Sequence, residues 1–293
     1  MWNFFLRHKV TILTILSLVL IKVVWVVWSC WYHGSFDKEK DDLLQRKNYL
    51  IKKIVVEPRQ LINEMPSEIG LQFQGEWALY SCSMLTEALS NLAELYPETR
   101  EEAVATIDSL IQIVKSPELR LYDKMRWGED PLESLDGERS HVSYLSHLAW
   151  IIGNYKRIGG TTKYDNLYDS LCMTMNRRIV DSKLNNLSTY PGEPVYIPDM
   201  MVAIVALSDY AKLKNGKYSD TVNKWIHRVK SEWLDENTGL VVSFLDYFRN
   251  KLLKTAEIAG HTVKWNDCRH YLLADVALVG EAIALAMRTN INR

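Results

Sequence analysis

Three stretches of the chain place apolar and small residues at helical spacing, and each is followed by a short turn and a more charged helical stretch. The turns contain glycine or proline, as at Asn215-Gly216, which favours a helix end. The predicted helix pairs are 76–95 with 98–114, 139–158 with 163–180, and 198–213 with 218–234. Helix pairs that recur at intervals of about 40 to 60 residues are typical of stacked or closed arrays of helical hairpins. We therefore predict an all-α protein built as an (α/α) toroid or barrel of helical hairpins.

The rest of the pattern predicts a helix over 37–56, an irregular loop over 58–72 and a final helix over Asp267–Met287. Gly239–Leu245 is the one segment with a convincing strand pattern. The predicted domains are a transmembrane anchor over 1–36, a helical linker over 37–70 and the (α/α) barrel domain over 71–293.

Residues 10–32 are almost all apolar, with Lys22 as the exception. At about 1.5 Å per residue, a helix of this length covers a hydrocarbon core of about 30 Å. The cost of Lys22, about 3 kcal/mol at a helix centre, is offset by its many aliphatic neighbours. Arg7 and Lys9 precede the segment and predict a cytoplasmic N-terminus, with the globular domain on the outer (periplasmic or extracellular) side. We expect a single-pass membrane anchor, and a cleaved signal peptide or a lipid on Cys30 are the alternatives.

Charge and cysteine content narrow the function classes. The chain has 35 Lys and Arg against 36 Asp and Glu, and no basic cluster alternates with aromatic residues, so nucleic acid is not expected as a partner. The four cysteines show no Cys-x-x-Cys spacing, and no tight cluster of His, Asp and Glu suggests a metal site. We expect neither a metal nor a cofactor, and a homo-oligomer is left open.

The connections that lead into the first helix of each pair are long and rich in polar and aromatic residues. If successive hairpins pack side by side, these first helices run in the same direction, and their N-termini meet at one mouth. The positive ends of the helix dipoles would then favour anionic groups there. The connections in question are 58–75, 117–138, 185–197 and 246–266.

The candidate site residues come from this mouth. His147 shares a helix face with Ser143 and Tyr144, although a single histidine on an apolar helix is more often a core residue. Prolines stiffen the loop that carries Glu193, a position with no evident structural role. Asp199 is interpreted as a helix cap. The predicted catalytic residues are His147, Glu193 and Tyr80, and the predicted substrate-binding residues are Tyr144, Tyr190, Tyr196, Asp136, Glu76 and Asp267.

Three segments together resemble the linalool dehydratase/isomerase family: EWALYSCSMLTEALSNLA, HVSYLSHLAWIIGNYKRIGG and TYPGEPVYIPDMMVAIVAL. The resemblance covers roughly residues 70–290 in order. It implies an (α/α) barrel with the site inside the ring, and acid/base roles for His147 and, approximately, Tyr80. The family also uses cysteines around its Tyr-Pro-x-Glu-Pro loop, where this chain has Gly192 and Met200 or Met201. The resemblance therefore implies fold and pocket location more than substrate.

The leading hypothesis is a membrane-anchored enzyme of lyase or isomerase type that acts on a small hydroxylated or unsaturated substrate. His147 would be the general acid/base, Glu193 its carboxylate counterpart or a substrate clamp, and tyrosines would place hydroxyl groups. A second hypothesis is a carbohydrate-active enzyme, similar to uronyl hydrolases or lyases, with Glu193 and Asp136 as paired carboxylates. The third is a membrane-tethered binding domain without catalysis.

Overall fold

The computed structural model describes residues 2–33, 36–66, 73–182, 185–234, 239–245, 255–258 and 261–264. The chain divides into two units, Met1–Lys52 and Lys53–Arg293.

The first unit is formed by α1 (Trp2–His33) and α2 (Phe36–Ile54), the second of which ends just past the unit boundary. Every side chain from Leu13 to Trp28 in α1 is exposed. Within the described part of the chain, no helix combines the length and the apolar character that a membrane crossing requires.

Among the described residues of the second unit, the regular elements are helices α3 to α10 and four short strands. The helices are α3 (Pro58–Glu64), α4 (Gln74–Leu95), α5 (Arg100–Lys115), α6 (Pro117–Trp127), α7 (Val142–Arg157), α8 (Asp165–Asp181), α9 (Ile197–Leu213) and α10 (Ser219–Glu232). The strands are β1 (Val195–Tyr196), β2 (Phe244–Leu245), β3 (Thr255–Ile258) and β4 (His261–Lys264). The described residues are therefore mostly helical, and the predicted all-α class is confirmed.

The helices of the second unit form an inner and an outer layer. Helix α7 is buried along nearly its whole length and packs against α4 and α9, as expected of a helix that is apolar on most faces. The outer helices are amphipathic, and α10 buries only Val222 and Trp225 within its span. Each inner helix packs against the helix that follows it, in the pairs α4 with α5, α7 with α8 and α9 with α10. The three predicted helical hairpins are confirmed.

The connections differ from the prediction in two places. Residues 58–72 were predicted as a loop, but Pro58 starts the short helix α3, with its ring at the first helical position. The connection 117–138 contains α6, whose N-terminus is capped when the Ser116 hydroxyl accepts from the Leu119 amide at 3.2 Å. Helix α6 was missed because its polar residues and its short length hide the helical period.

The strand prediction was correct only in part. Within the predicted strand Gly239–Leu245, Val241 forms an isolated bridge with Leu234, and only β2 is a regular strand. Strand β2 pairs with β1 in antiparallel register and so fixes the loop that enters α9. The hairpin of β3 and β4 was not predicted. The helix predicted over Asp267–Met287 lies outside the described residues.

Candidate functional site

The N-terminal parts of α4, α7 and α9 meet at a group of polar side chains, as the parallel arrangement of inner helices predicts. The Tyr80 hydroxyl on α4 lies 3.0 Å from Glu76 Oε1 on the same helix and 3.0 Å from Asp199 Oδ1 on α9. The Ser143 hydroxyl on α7 donates to Glu76 Oε1 at 3.3 Å. We call this group the tyrosine–carboxylate cluster; its members are Glu76, Tyr80, Arg126, His147, Tyr190 and Asp199.

The two carboxyl groups around Tyr80 require one more proton than the phenol supplies. A tyrosine hydroxyl carries one hydrogen and can donate it to one acceptor, yet two carboxyl oxygens lie at 3.0 Å from the Tyr80 oxygen. If Glu76 is protonated, its O–H donates to the phenol oxygen while the phenol donates to Asp199. The geometry therefore favours one neutral carboxyl group beside one charged carboxylate.

The electrostatic surroundings of Glu76 indicate that Glu76 is the carboxyl group that carries this proton. Burial, which is the larger cause, and the negative charge of Asp199 together raise the pKa of Glu76 to about 8. The hydroxyls of Tyr80 and Tyr190 and the charge of Arg126 oppose the rise only in part. Glu76 thus holds a proton at neutral pH and can release it to a substrate.

His147 is the second titratable group of the cluster, and its ring stacks beside Tyr80 with 4.6 Å between ring centroids. Its Nδ1 lies 2.7 Å from the Ser83 hydroxyl oxygen, and Ser83 donates its own proton to the Tyr80 carbonyl at 3.0 Å. This network assigns the proton of His147 to Nδ1 and leaves a lone pair on Nε2. Nε2 has no hydrogen-bond partner among the residues that the structure describes. Burial lowers the pKa of His147 to about 3, so the ring is neutral.

Arg126 of α6 lies at the edge of the cluster and pairs with Glu193. Its Nη1 donates to Glu193 Oε1 at 3.2 Å. The guanidinium carbon lies 4.2 Å from the Tyr190 ring centroid and 5.3 Å from that of Phe73. Glu193 is thereby placed as the partner of a cation at the edge of the cluster.

Tyr190 is buried, with its hydroxyl beside the Glu76 carboxyl. This hydroxyl is near enough to lower the pKa of Glu76, but it falls outside hydrogen-bonding geometry with every described atom. A small shift of either side chain, or a bound oxygen atom, would complete the bond.

Asp199 has a different role from the predicted helix cap. Helix α9 has Tyr196 at its N-cap position and no side-chain cap. The Asp199 carboxylate instead accepts from the hydroxyls of Tyr80 and Thr189, the latter at 2.8 Å. An acidic residue in the first turn of a helix is favoured by the helix dipole whether it caps the helix or binds hydroxyl groups of other segments. The sequence alone therefore could not distinguish these two roles.

The remaining predicted site residues lie in varied surroundings. Tyr196 is half-buried against Phe244 and near enough to contribute to the raised pKa of Tyr80. Tyr144 is buried with its hydroxyl donating to the Val114 carbonyl at 2.9 Å, so it is not brought into the cluster. Asp136 is exposed in a turn before α7 and is not brought into the cluster. Asp267 lies outside the described residues.

Sequence reasoning missed several members of this region. Arg126 and Tyr122 lie four residues apart on α6, a helix that was read as a loop. The Tyr122 hydroxyl lies 3.4 Å from that of Ser143 and so extends the polar network. The i, i+4 spacing of Tyr122 and Arg126 after a Ser-Pro-Glu helix start was the signal that could have found them.

A second buried polar group surrounds His141, which adopts a left-handed backbone conformation with φ 48°. Its Nδ1 lies 2.5 Å from Asp123 Oδ2, and its Nε2 lies 3.3 Å from Glu129 Oε1 and 3.5 Å from the Ser134 hydroxyl. We call these four residues the His141 cluster. Both ring nitrogens are occupied, so His141 serves to join α6 to the start of α7.

A cavity of about 460 Å³ lies between the segment that precedes α7 and the C-terminal end of α8. Its lining includes Trp127, Ser140, Arg178 and Asn186, and none of the members of the tyrosine–carboxylate cluster. Arg178 donates to the carbonyls of Ser134, Gly137 and Ser140 and so holds the turn before α7 in place. This cavity is therefore separate from the tyrosine–carboxylate cluster.

The tyrosine–carboxylate cluster combines a neutral carboxylic acid, a phenol that links two carboxyl groups and a neutral imidazole with a lone pair. These groups can donate a proton to one atom of a substrate and accept a proton from another. Among the described residues, no group of three or more His, Cys, Asp or Glu side chains could hold a metal ion. A scan against models of known protein families gives no match to this chain.

Proposed function

We propose that the chain is an enzyme of lyase or isomerase type that dehydrates or isomerises a small hydroxylated or unsaturated substrate by proton transfer. One observation carries this proposal: the Tyr80 hydroxyl lies 3.0 Å from both Glu76 and Asp199. A proton held there at neutral pH beside a neutral imidazole is the arrangement that acid/base catalysis needs. The likeness of three segments to the linalool dehydratase/isomerase family supports the same reaction class.

In the dehydration direction, Glu76 is the acid. Its proton passes, directly or through the Tyr80 hydroxyl, to the hydroxyl group of the substrate, the carbon–oxygen bond breaks and water leaves. His147 Nε2 accepts a proton from the neighbouring carbon, and the electrons of that carbon–hydrogen bond form the double bond. A buried histidine with a pKa of about 3 is a weak base, but a weak base suffices here because a carbon next to a developing cation is strongly acidic.

The carbohydrate hypothesis has less support. It requires Glu193 and Asp136 to act as a pair, but Glu193 is bound to Arg126 and Asp136 is exposed in a separate turn. The two carboxyl groups that do approach each other are those of Glu76 and Asp199, and a phenol hydroxyl lies between them. The position between the two carboxylates where a sugar bond is cleaved is thus taken by a protein group.

Two further proposals concern the architecture. We propose that the hairpins continue into an (α/α) barrel, because the N-termini of three successive inner helices meet at one cluster. We also propose membrane attachment through residues 10–32, because the apolar side chains from Leu13 to Trp28 are exposed. The membrane proposal rests on this exposure and on the sequence of the segment.

Deuterium incorporation tests the proposed chemistry without a known substrate. The full-length protein is incubated in D₂O with a panel of small alcohols, hydroxy acids and alkenes, and the products are followed by NMR. Exchange at the carbon next to the hydroxyl carbon is expected for at least one class, and Tyr80→Phe should slow it about 10²- to 10⁴-fold.

Tyr155→Phe is the matched control, because Tyr155 is buried on α7 with its hydroxyl bound to Thr161 at 3.2 Å, outside the cluster. This variant should exchange like the wild type. Equal rates for wild type and Tyr80→Phe, or no exchange with any member of the panel, would contradict the proposal.

A further inference from the structure

The guanidinium of Arg126 has an unused hydrogen-bonding edge. Nη1 is bound to Glu193, but Nε and Nη2 are buried without a hydrogen-bond partner among the residues that the structure describes. Buried polar groups are nearly always paired, and an unpaired charged donor is especially costly. The two nitrogens therefore indicate a partner other than a described protein atom.

The geometry of these nitrogens defines the chemistry of that partner. Nε and Nη2 lie on the same edge of the planar guanidinium, and their two N–H groups point in parallel. This is the edge that binds both oxygens of a carboxylate or of another oxyanion. A neutral alcohol presents only one oxygen atom, so it leaves one of these two N–H groups without an acceptor.

Two aromatic rings hold the Arg126 guanidinium in place beside Glu76, the proposed acid. The ring of Tyr190 packs 4.2 Å from the guanidinium carbon, and that of Phe73 packs 5.3 Å from it. Arg126 is also near enough to Glu76 for its charge to lower the pKa of that carboxyl. A group bound to Arg126 is thus positioned beside the proposed acid.

We propose that Arg126 binds an oxyanion group of the substrate through Nε and Nη2, so that the enzyme acts on small hydroxy acids or their unsaturated counterparts and not on neutral alcohols. The substrate carboxylate lies on Arg126, and its hydroxyl group faces Glu76 and Tyr80. This proposal rests on the proposed function for the reaction but not for the binding. Both nitrogens are closed off from water, so the side chains packed around them move when the ligand enters.

A pair of probes that differ in charge tests the proposal. 3-Hydroxy-3-methylbutanoate and the uncharged 3-methylbutane-1,3-diol share a carbon skeleton and a tertiary hydroxyl. Binding of each at millimolar concentration is measured by calorimetry and by ligand-observed NMR. The acid should bind to the wild type more tightly than the diol.

Two variants of Arg126 and one control test whether the acid binds through the Nε and Nη2 edge of the guanidinium. Arg126→Gln should weaken acid binding about 10- to 100-fold, the loss expected for charge-assisted hydrogen bonds. Arg126→Lys keeps the charge but loses the parallel N–H pair, so its affinity should be intermediate. Arg139→Gln is the control, since Arg139 is half exposed and pairs with Glu129, and it should bind like the wild type. Thermal melting of each variant verifies that it is folded.

The outcomes separate this inference from the proposed function. Equal binding of the diol and the acid, no detectable binding of the acid, or an unchanged affinity in folded Arg126→Gln would overturn the inference. Deuterium exchange on neutral alcohols would then leave the proposed function standing. Acid binding that depends on Arg126, without deuterium exchange, would support the inference and contradict the proposed function.

Discussion

The tyrosine–carboxylate cluster and the His141 cluster are both buried, and each contains a histidine: His147 in the first half of α7, and His141 at the N-cap of that helix. They differ in how far their hydrogen-bonding capacity is used. His141 has a partner at both ring nitrogens, with a carboxylate on each side. His147 has a partner at Nδ1 and none at Nε2 among the described residues.

The carboxyl groups of the two clusters differ in the charge of the group beside them. Burial raises the pKa of Asp123, but the His141 ring at 2.5 Å opposes that rise and stabilises the charge. Glu76 faces the negative Asp199, which adds to the effect of burial. Burial alone therefore does not distinguish a structural polar cluster from a reactive one; the distinction lies in whether the neighbours neutralise the buried group.

Removing the acid should give the largest effect. Glu76→Gln closely imitates the protonated carboxyl in shape and hydrogen bonding, so the protein should fold with little change in stability at neutral pH. It has no proton to release, and turnover should fall about 10²- to 10⁴-fold. Product formation followed by NMR measures the loss, and turnover at the wild-type rate would show that Glu76 is not the acid.

The equivalent change in the other cluster should have the opposite outcome. Asp123→Asn replaces the carboxylate that lies against a fully buried histidine with a neutral amide, and losing a hydrogen bond to a charged group costs about 1.5 to 3 kcal/mol of unfolding free energy. Turnover per folded molecule should remain close to that of the wild type. Urea denaturation with parallel activity assays makes the comparison, and a stable but inactive Asp123→Asn would reverse the roles assigned to the two clusters.

The pH dependence of stability should be intermediate in size. The folded state binds more protons than the unfolded state between the ordinary pKa of 4.5 and about 8 at Glu76, and fewer between about 3 and 6.5 at His147. The two effects oppose each other up to about pH 6.5, and above it the loss from Glu76 exceeds the small remaining gain from His147, so the stability falls as the pH rises. The wild type should lose about 1 kcal/mol between pH 6.5 and 8.

Denaturation of Glu76→Gln across the same pH range should show no such decline. Glu94→Gln, a change at an exposed carboxylate, should retain it. A decline of equal size in all three proteins would assign the effect to another group.

The smallest loss of turnover is expected when the hydrogen bond between Ser83 and the His147 ring is removed. Ser83→Ala removes the acceptor that fixes the proton on Nδ1, so part of the population should move its proton to Nε2 and lose the free lone pair. Turnover should fall about tenfold, in line with the loss of other groups that orient a histidine. Nitrogen-15 NMR of the ring reports the tautomer, and a single unchanged tautomer with reduced turnover would require another explanation.

Much of the architecture could be predicted because it depends on a repeated local pattern. The three hairpins follow from apolar periods and turn residues, and their common direction brought Glu76, Tyr80 and His147 together as expected. Helix α6 was not predicted because polar residues such as Asp123 and Arg126 interrupt its apolar face. In the fold, Asp123 is buried and Arg126 is paired with Glu193. Their partners come from distant parts of the chain, and no local pattern shows that.

The roles of single carboxylates were the least predictable part of the site. Glu193 was expected to act in catalysis and is paired with Arg126, whereas Asp199 was expected to cap a helix and binds Tyr80. Both outcomes depend on contacts across more than 60 residues of sequence. Tyr144 shows the same limit, since its position on α7 was correct but its hydroxyl is bound to the Val114 carbonyl of α5.

The central claim is that Glu76 keeps its proton at neutral pH. Carboxyl-labelled glutamate allows each side chain to be titrated by carbon-13 NMR, and the signal that is missing in Glu76→Gln identifies the residue. This signal should titrate near pH 8, far above the ordinary value of 4.5. Titration of the same signal between pH 4 and 5 would contradict it.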